Sequence, residues 1–225
     1  MKRRIIETAD GSKTIQLEEW QEQYHSKHGA VQEAYHVFIK HGLECMNLNK
    51  LNILEIGFGT GLNALITFIE GKKNDNFIHY VGVEQFPVTI EEVQQLDYVS
   101  SLSAQAFESE FHLMHQCSWE TDTMISENFR LTKQKKDFRD ITETNLFNLI
   151  YFDAFGPRVQ PELWTEEIFQ IMYTALKMEG VLVTYSAKGS VRRAMQAVGF
   201  RVERLEGPPG KREMLRGTKK ASIPK

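Results

Sequence analysis

A carboxylate closes an apolar run at Asp153, within Phe147-Asn-Leu-Ile-Tyr-Phe-Asp153, and Ala154-Phe155-Gly156-Pro157 follow it. An acid at a strand's carboxyl end can accept the N–H groups of a nucleophilic amine and aim its lone pair, while Phe155 keeps water out and Pro157 stiffens the loop. Asp153 and Phe155 are the catalytic candidates. The obstacle is protonation, because an ammonium has no lone pair. Deprotonating an amine with a pKa near 10.4 at pH 7 costs roughly 4 to 5 kcal/mol, part of which a dry pocket recovers. A nearby carboxylate favours the cation, so Asp153 suits orientation and proton acceptance better than lowering the amine's pKa. An aspartate that merely caps the next loop is the plain alternative.

A second constellation lies upstream, where Leu51-Asn-Ile-Leu-Glu55-Ile56 runs straight into Gly57-Phe58-Gly59-Thr60-Gly61-Leu62-Asn63. Glycines there let the backbone turn sharply and a ligand approach where a Cβ would collide. A dinucleotide loop needs its third glycine one residue later, at the position of Leu62. The Gly-x-Gly-x-Gly spacing preceded by Glu55 favours S-adenosylmethionine over NAD. Glu84, 23 residues after Gly61, is placed to grip a ribose diol, since an ionised acid accepts two hydrogen bonds. A third acid before the fourth strand, Asp137 or its neighbour Asp140, is the candidate to face the adenine amino group, although Lys133 to Asp140 also reads as a solvated loop.

These residues need a scaffold of parallel strands with their carboxyl ends together. Runs at 51–56, 78–84, 111–115, 147–153 and 181–186 read as buried strands, alternating with helices over 62–70, 90–97, 165–178 and 190–198. Thr165 and Ser190 are the expected N-caps. Segments 200–205 and 212–215 flank the turn Gly207-Pro208-Pro209-Gly210, which predicts a hairpin. The fold class is α/β: a doubly wound, Rossmann-like class I methyltransferase domain with a mostly parallel seven-stranded sheet and a C-terminal antiparallel hairpin. Residues 1–49 are expected as an extension or lid packed on the domain, 50–220 as the domain itself, and 221–225 as a disordered tail.

Composition narrows the setting. With 41% hydrophobic and 25% charged residues over 225, the chain has the make-up of one soluble globular domain. No apolar run approaches the roughly 20 residues that span a bilayer, and acidic residues interrupt any export signal. Cys45 and Cys117 are too few for a disulfide framework, so a cytoplasmic location is expected. His25 with His28, and His112 with His115, lack the supporting cysteines of a zinc site, and no metal is expected. Between Lys188 and Lys220 ten basic residues face three acidic ones, a net +7. With -3 overall, the remainder carries -10. Such asymmetry suggests an anion-binding face, although a solvated helix and tail would also produce it.

Five segments together resemble one family, the methyltransferase part of the bacterial tRNA-modification enzyme MnmC, also found as the stand-alone enzyme MnmD. They are Glu55-Ile-Gly-Phe-Gly-Thr-Gly-Leu-Asn63, Val83-Glu84-Gln85-Phe86-Pro87, Asp153-Ala-Phe-Gly-Pro157 with Trp164, Gly189-Ser190-Val191-Arg192-Arg193 and Gly210-Lys211-Arg212-Glu213-Met214. The resemblance spans roughly 32 to 217 and weakens to Gln32-Glu33-Ala34-Tyr35 at its start. It implies methylation of the aminomethyl group of 5-aminomethyl-(2-thio)uridine at the tRNA wobble position. The implied cofactor set is Glu55, Gly57, Phe58, Gly59, Gly61, Asn63, Glu84, Gln85, Asp137 and Asp153. Lys188, Arg192, Arg193, Lys211 and Arg212 would meet tRNA phosphates. Family members with a second, flavin-dependent domain also oxidise; here no FAD is expected, and a monomer is the simplest assembly. Methylation of another amine or small molecule, an NAD-linked oxidoreductase and a non-catalytic tRNA-binding module are the alternatives.

Overall fold

Alternate residues of the central strands are buried on opposite sides: Ile53, Tyr80, Leu131, Leu149 and Tyr151 in one apolar cluster, Leu54, Ile56, Val81, Ile150 and Phe152 in the other. Such a sheet needs helices on both faces. The computed structural model describes residues 2–220. The chain opens with a small antiparallel sheet of β1 (Arg3–Glu7), β2 (Lys13–Leu17) and β3 (Glu22–Gln23). Helix α1 (Ala30–Ala34) runs directly into a π-helical stretch over Tyr35–Lys40.

The large sheet then begins with β4 (Lys50–Ile56), α2 (Leu62–Lys73) and β5 (Phe77–Val83). Short helices α3 (Ile90–Val93) and α4 (Tyr98–Ser101) precede α5 (Glu108–Gln116). An edge hairpin of β6 (Asp122–Ser126) and β7 (Phe129–Gln134) follows. After it come β8 (Phe147–Phe152), α6 (Glu166–Ala175), β9 (Leu176–Thr184) and α7 (Gly189–Ala197). The last hairpin pairs β10 (Phe200–Glu206) with β11 (Glu213–Lys219). Strand order is β10-β11-β9-β8-β4-β5-β7-β6, with parallel pairing from β9 through to β7 and antiparallel pairs at both edges.

The doubly wound α/β class and the terminal hairpin hold, but the sheet has eight strands rather than seven. Segment 111–115, expected as a strand, lies inside α5. Its buried residues Phe111 and Met114 are three apart, a helical rather than a strand period. The position beside β5 is taken by β7, whose buried Phe129, Leu131 and Lys133 alternate, and β6 adds the eighth strand. The helix expected over 90–97 stops at Val93 after a capping box between Thr89 and Glu92. Helix α6 ends at Ala175 because Leu176 already belongs to β9. Lys188, not Ser190, is the N-cap of α7, and Thr165 caps α6 by position without a side-chain hydrogen bond. The segment 221–225 lies outside the described residues.

Strand β4 sits between β5 and β8, so the winding reverses there. A crevice opens at the carboxyl ends of these strands, where open α/β sheets carry their ligands.

Candidate active site

The glycine loop is fixed by its neighbours. Gly57 and Phe58 both donate N–H to the Val83 carbonyl, at 3.0 and 3.1 Å, and Asp153 donates its N–H to the Ile56 carbonyl at 3.0 Å. Gly57 has φ +87°, and a Cβ there would lie 2.9 Å from the Asp153 carbonyl oxygen. Gly61 has φ +73°, and its Cβ would meet His115 Nε2 at 2.8 Å. No larger residue fits this turn without strain. Beyond β5, Glu84 accepts from Gly59 N–H at 3.1 Å through Oε2 and from Phe86 N–H at 2.9 Å through Oε1. Its carboxylate is thus oriented by backbone alone, and each oxygen keeps a lone pair for a ligand hydroxyl.

These elements floor a cavity of about 760 Å³. At its base Asn63 Nδ2 donates to Glu55 Oε1 at 2.8 Å and to Asp153 Oδ2 at 2.9 Å, so one amide ties the cofactor motif to the candidate catalytic acid. Burial pushes the Glu55 carboxyl well above its ordinary range, with Asp153's charge adding to the rise and Asn63 opposing it. Asp153 is likewise pushed up by burial and then by Glu33, against the hydrogen bond from Asn63 and the charge of Lys211. Asn63 Oδ1 and Glu55 Oε2 are buried acceptors without a hydrogen-bond partner; Tyr80's hydroxyl lies beside Glu55 but is itself unpartnered. Such orphaned acceptors call for a donor from a ligand.

The opposite wall comes from distant segments. Phe155 meets Tyr24 edge-on at 5.0 Å and Trp20 at 5.7 Å. Trp164 Nε1 donates to the Phe155 carbonyl at 2.8 Å, and Tyr185 Oη donates to the Ala154 carbonyl at 2.8 Å, which locks the loop after Asp153. Lys211, from the β10–β11 turn, ion-pairs with the buried Glu33 of α1 and sits 3.9 Å from the Tyr185 ring centroid.

Glu55, Gly57, Gly59, Asn63, Glu84, Gln85, Asp137, Asp153 and Phe155 all line this one cavity, whereas Gly61 lies behind it against His115 and Phe58 and shapes the turn without lining the site. Phe58 also lines the cavity, but its ring packs against Gly82 and His115 in the core. Asp137 is held by the Arg139 side chain and N–H, which lower its pKa, whereas Asp140 is absent from the lining. The basic candidates divide. Lys188, Arg193 and Arg212 are exposed and Arg192 is half-buried, but Lys211 is turned into the cavity. His25 and His115 are enclosed beside the glycine loop, His25 bonded to Thr14, and among the described residues no cluster of three or more His, Cys, Asp or Glu could hold a metal. Sequence reasoning missed Tyr24, Trp20 and Tyr185, and gave no role to Glu33 or Tyr35, which lie where the family resemblance weakens. Glu33 lines the cavity, while Tyr35 bonds Glu70 elsewhere. No local signal marks the missed residues, since only the tertiary fold brings them together.

A family model described as S-adenosyl-L-methionine-dependent methyltransferase matches residues 104–220, just over half of the chain. The chain belongs to this family. The bifunctional protein MnmC of tRNA 5-methylaminomethyl-2-thiouridine biosynthesis from Ectopseudomonas mendocina is 32% identical to this methyltransferase, over 86% of the chain and 32% of the relative. MnmC from Hydrogenovibrio crunogenus is 28% identical over 86% of the chain and 31% of the relative. The chain thus spans about a third of the length of the curated relatives it matches. In fold it resembles MnmC2 from Aquifex aeolicus, with a TM-score of 0.81 at 24% identity, covering 99% of this chain and 72% of that one. A spermidine synthase from Thermotoga maritima follows at TM-score 0.61 and 17% identity, covering 97% and 69%. The resemblance to the MnmC methyltransferase part is borne out, and S-adenosylmethionine displaces NAD as the cofactor. The residues fit it: unpartnered acceptors at Asn63 and Glu55 suit an ammonium, and the glycine turn leaves room for a nucleoside at Glu84. No helix among the described residues is long and apolar enough to cross a membrane.

Proposed function

We propose that this methyltransferase acts on the aminomethyl group of 5-aminomethyl-(2-thio)uridine at the tRNA wobble position, giving the methylaminomethyl form. The observation that carries the reading is the placement of Asp153: a carboxylate joined through Asn63 to the cofactor cradle and lining the same cavity as Phe155, Tyr24 and Trp20. The similarity to MnmC supplies the substrate class.

Glu55 and Asn63 would hold the cofactor's amino end and Glu84 its ribose. When bound, the cofactor supplies a methyl group on a sulfonium, which is an electrophile. The chain's own residues have to admit an amine, orient it and take up the proton it loses. Asp153 Oδ2 is fixed by Asn63, and among the described residues no hydrogen bond engages Oδ1, which leaves it for an N–H of the acceptor. Burial makes the Asp153 carboxylate a stronger base than an ordinary aspartate, which suits a proton acceptor. The aromatic wall excludes water from the same volume. Residues 1–49 contribute Trp20, Tyr24 and Glu33 to that wall and act as its lid. Exposed Lys188, Arg193 and Arg212 would meet the phosphates of a tRNA in the cytoplasm, contacts that position the substrate without reading its bases.

Mass spectrometry of tRNA nucleosides from cells lacking the protein tests the reading. Accumulated 5-aminomethyl-uridine, with its methylated form lost, is the expected result; an unchanged nucleoside profile would remove tRNA as the substrate.

A further inference from the structure

Two carboxylates, Asp153 and Glu33, and one ammonium, Lys211, meet at the acceptor end of the cavity. The ammonium is built in. Glu33 is 6% exposed and has its second oxygen occupied by the Ser26 N–H at 3.1 Å, while Lys211 Nζ rests on the face of Tyr185. Tyr185 is itself fixed by its bond to the Ala154 carbonyl, next to Asp153. The mechanism above gives Lys211 nothing to do, and its position inside the cavity removes it from the exposed phosphate-facing set.

We infer that Lys211, clamped by Glu33 and Tyr185, is a fixed positive charge that holds the acceptor amine in its neutral, nucleophilic form. The inference rests on the acceptor being an amine. A site with Asp153 alone attracts an ammonium but stabilises the form that cannot react. A second carboxylate, Glu33, would worsen this if it stood unpaired. The Lys211 charge offsets that of Glu33, so the pair adds no net negative charge beside Asp153. A like charge within about 4 to 6 Å disfavours the protonated amine, and each unit by which its pKa falls raises the neutral fraction near pH 7 about tenfold.

The other charged and titratable groups of the lining do not replace Lys211: Lys27 and His28, the latter packed on Gly210 beside Lys211, are both exposed to solvent. Glu22, from β3, is paired with Arg158 at 2.6 Å. His25 is enclosed and held neutral, its pKa pushed down to about 4 by burial, with Lys211's charge adding to the fall. Tyr185 and Tyr24 have their phenols pushed up by burial and by neighbouring carboxylates, so they stay neutral too. Glu55 is buried on the cofactor side with its carboxyl pushed up, and Arg3 is committed to Glu92 and the carbonyls of Phe86 and Pro87. Lys211 acts through the amine's protonation and is a positioning residue, not a catalytic one.

The two partners of the pair should act with opposite signs. With saturating S-adenosylmethionine and tRNA carrying 5-aminomethyluridine, kcat is followed from pH 6 to 10 for the full chain and for Lys211→Met, Lys211→Arg and Glu33→Gln. Lys211→Met should move the acidic limb up by about 1 pH unit, a tenfold loss at neutral pH that is recovered at alkaline pH. Lys211→Arg should return the limb to its wild-type position. Glu33→Gln should move it down while raising KM. Limbs that stay in place, or that move the same way in Lys211→Met and Glu33→Gln, overturn the inference, as does a loss of kcat that is uniform across pH. Should Lys211→Met fail to fold, the downward limb of Glu33→Gln alone decides. Failure of the unaltered chain to methylate the amine at any pH overturns the amine reading and the inference with it, whereas normal transfer with unmoved limbs overturns the inference only.

Discussion

The two walls of the cavity are built differently. On the cofactor side, seven of the nine residues from Glu55 to Asn63 line the cavity, and backbone N–H groups orient Glu84, which comes from the end of β5. On the acceptor side, Trp20, Tyr24, Glu33, Phe155, Tyr185 and Lys211 come from five separate stretches of chain, and Lys211 and Glu33 are 178 positions apart. The cofactor wall is therefore mainly one strand–turn–helix motif, held in place by the ends of β5 and β8. The acceptor wall exists only once the N-terminal segment and the terminal hairpin have packed on the sheet. Binding of the cofactor and choice of the acceptor become separable properties, to be broken one at a time.

Asp153→Ala gives the sharpest break. Methyl transfer should fall by about 10³-fold, the scale of a lost acid–base group, while calorimetry finds S-adenosylmethionine affinity within a few-fold of wild type. Loss of affinity on the same scale would move Asp153 to the cofactor wall. The next effect concerns the seam between the walls, where His25 packs against Thr14 and Tyr98 beside the loop residue Thr60. Its pKa is lowered from 6.5 to about 4 in the fold, so the unfolded chain binds the additional proton between those values. Stability from this group is complete above pH 6.5 and is lost as pH falls towards 4, by on the order of 3 kcal/mol. Urea unfolding should show that loss in wild type and a shallower one in His25→Gln; equal slopes would detach the seam from His25.

Gly57→Ala should do the reverse of Asp153→Ala, because its Cβ would press on the Asp153 carbonyl at a φ of +87°. Cofactor affinity should drop by about tenfold or more, given 1 to 3 kcal/mol of backbone strain. The smallest effect lies outside both walls. Arg192→Ala combined with Arg193→Ala should weaken tRNA binding and lower the slope of log affinity against log salt by about 1 to 2. An unchanged slope would take α7 out of the tRNA interface.

The same contrast governs what the sequence made legible. Gly57, Gly59, Gly61 and Asn63 are readable because a glycine turn between a strand and a helix has a local cause in backbone sterics. Asp153 is readable because it ends an apolar run. Strand β7 was missed because Phe129-Arg130-Leu131-Thr132-Lys133 buries a lysine where an apolar residue is expected, Lys133 bonding its ammonium to the His115 carbonyl at 2.7 Å. Phe111 and Met114 were misread as a strand because the stretch is short and its one helical turn buries only two residues. Lys211 looked like a surface cation among other basic residues, since pairing with Glu33 is a fact of tertiary structure alone.

Transfer of labelled methyl from S-adenosylmethionine by the purified chain, to tRNA carrying 5-aminomethyluridine and to the same tRNA with plain uridine at the wobble position, tests the central claim directly. The predicted result is label on the amine-bearing tRNA only, recovered as methylaminomethyl-uridine on digestion. Equal label on both tRNAs, or none on the first, would contradict it.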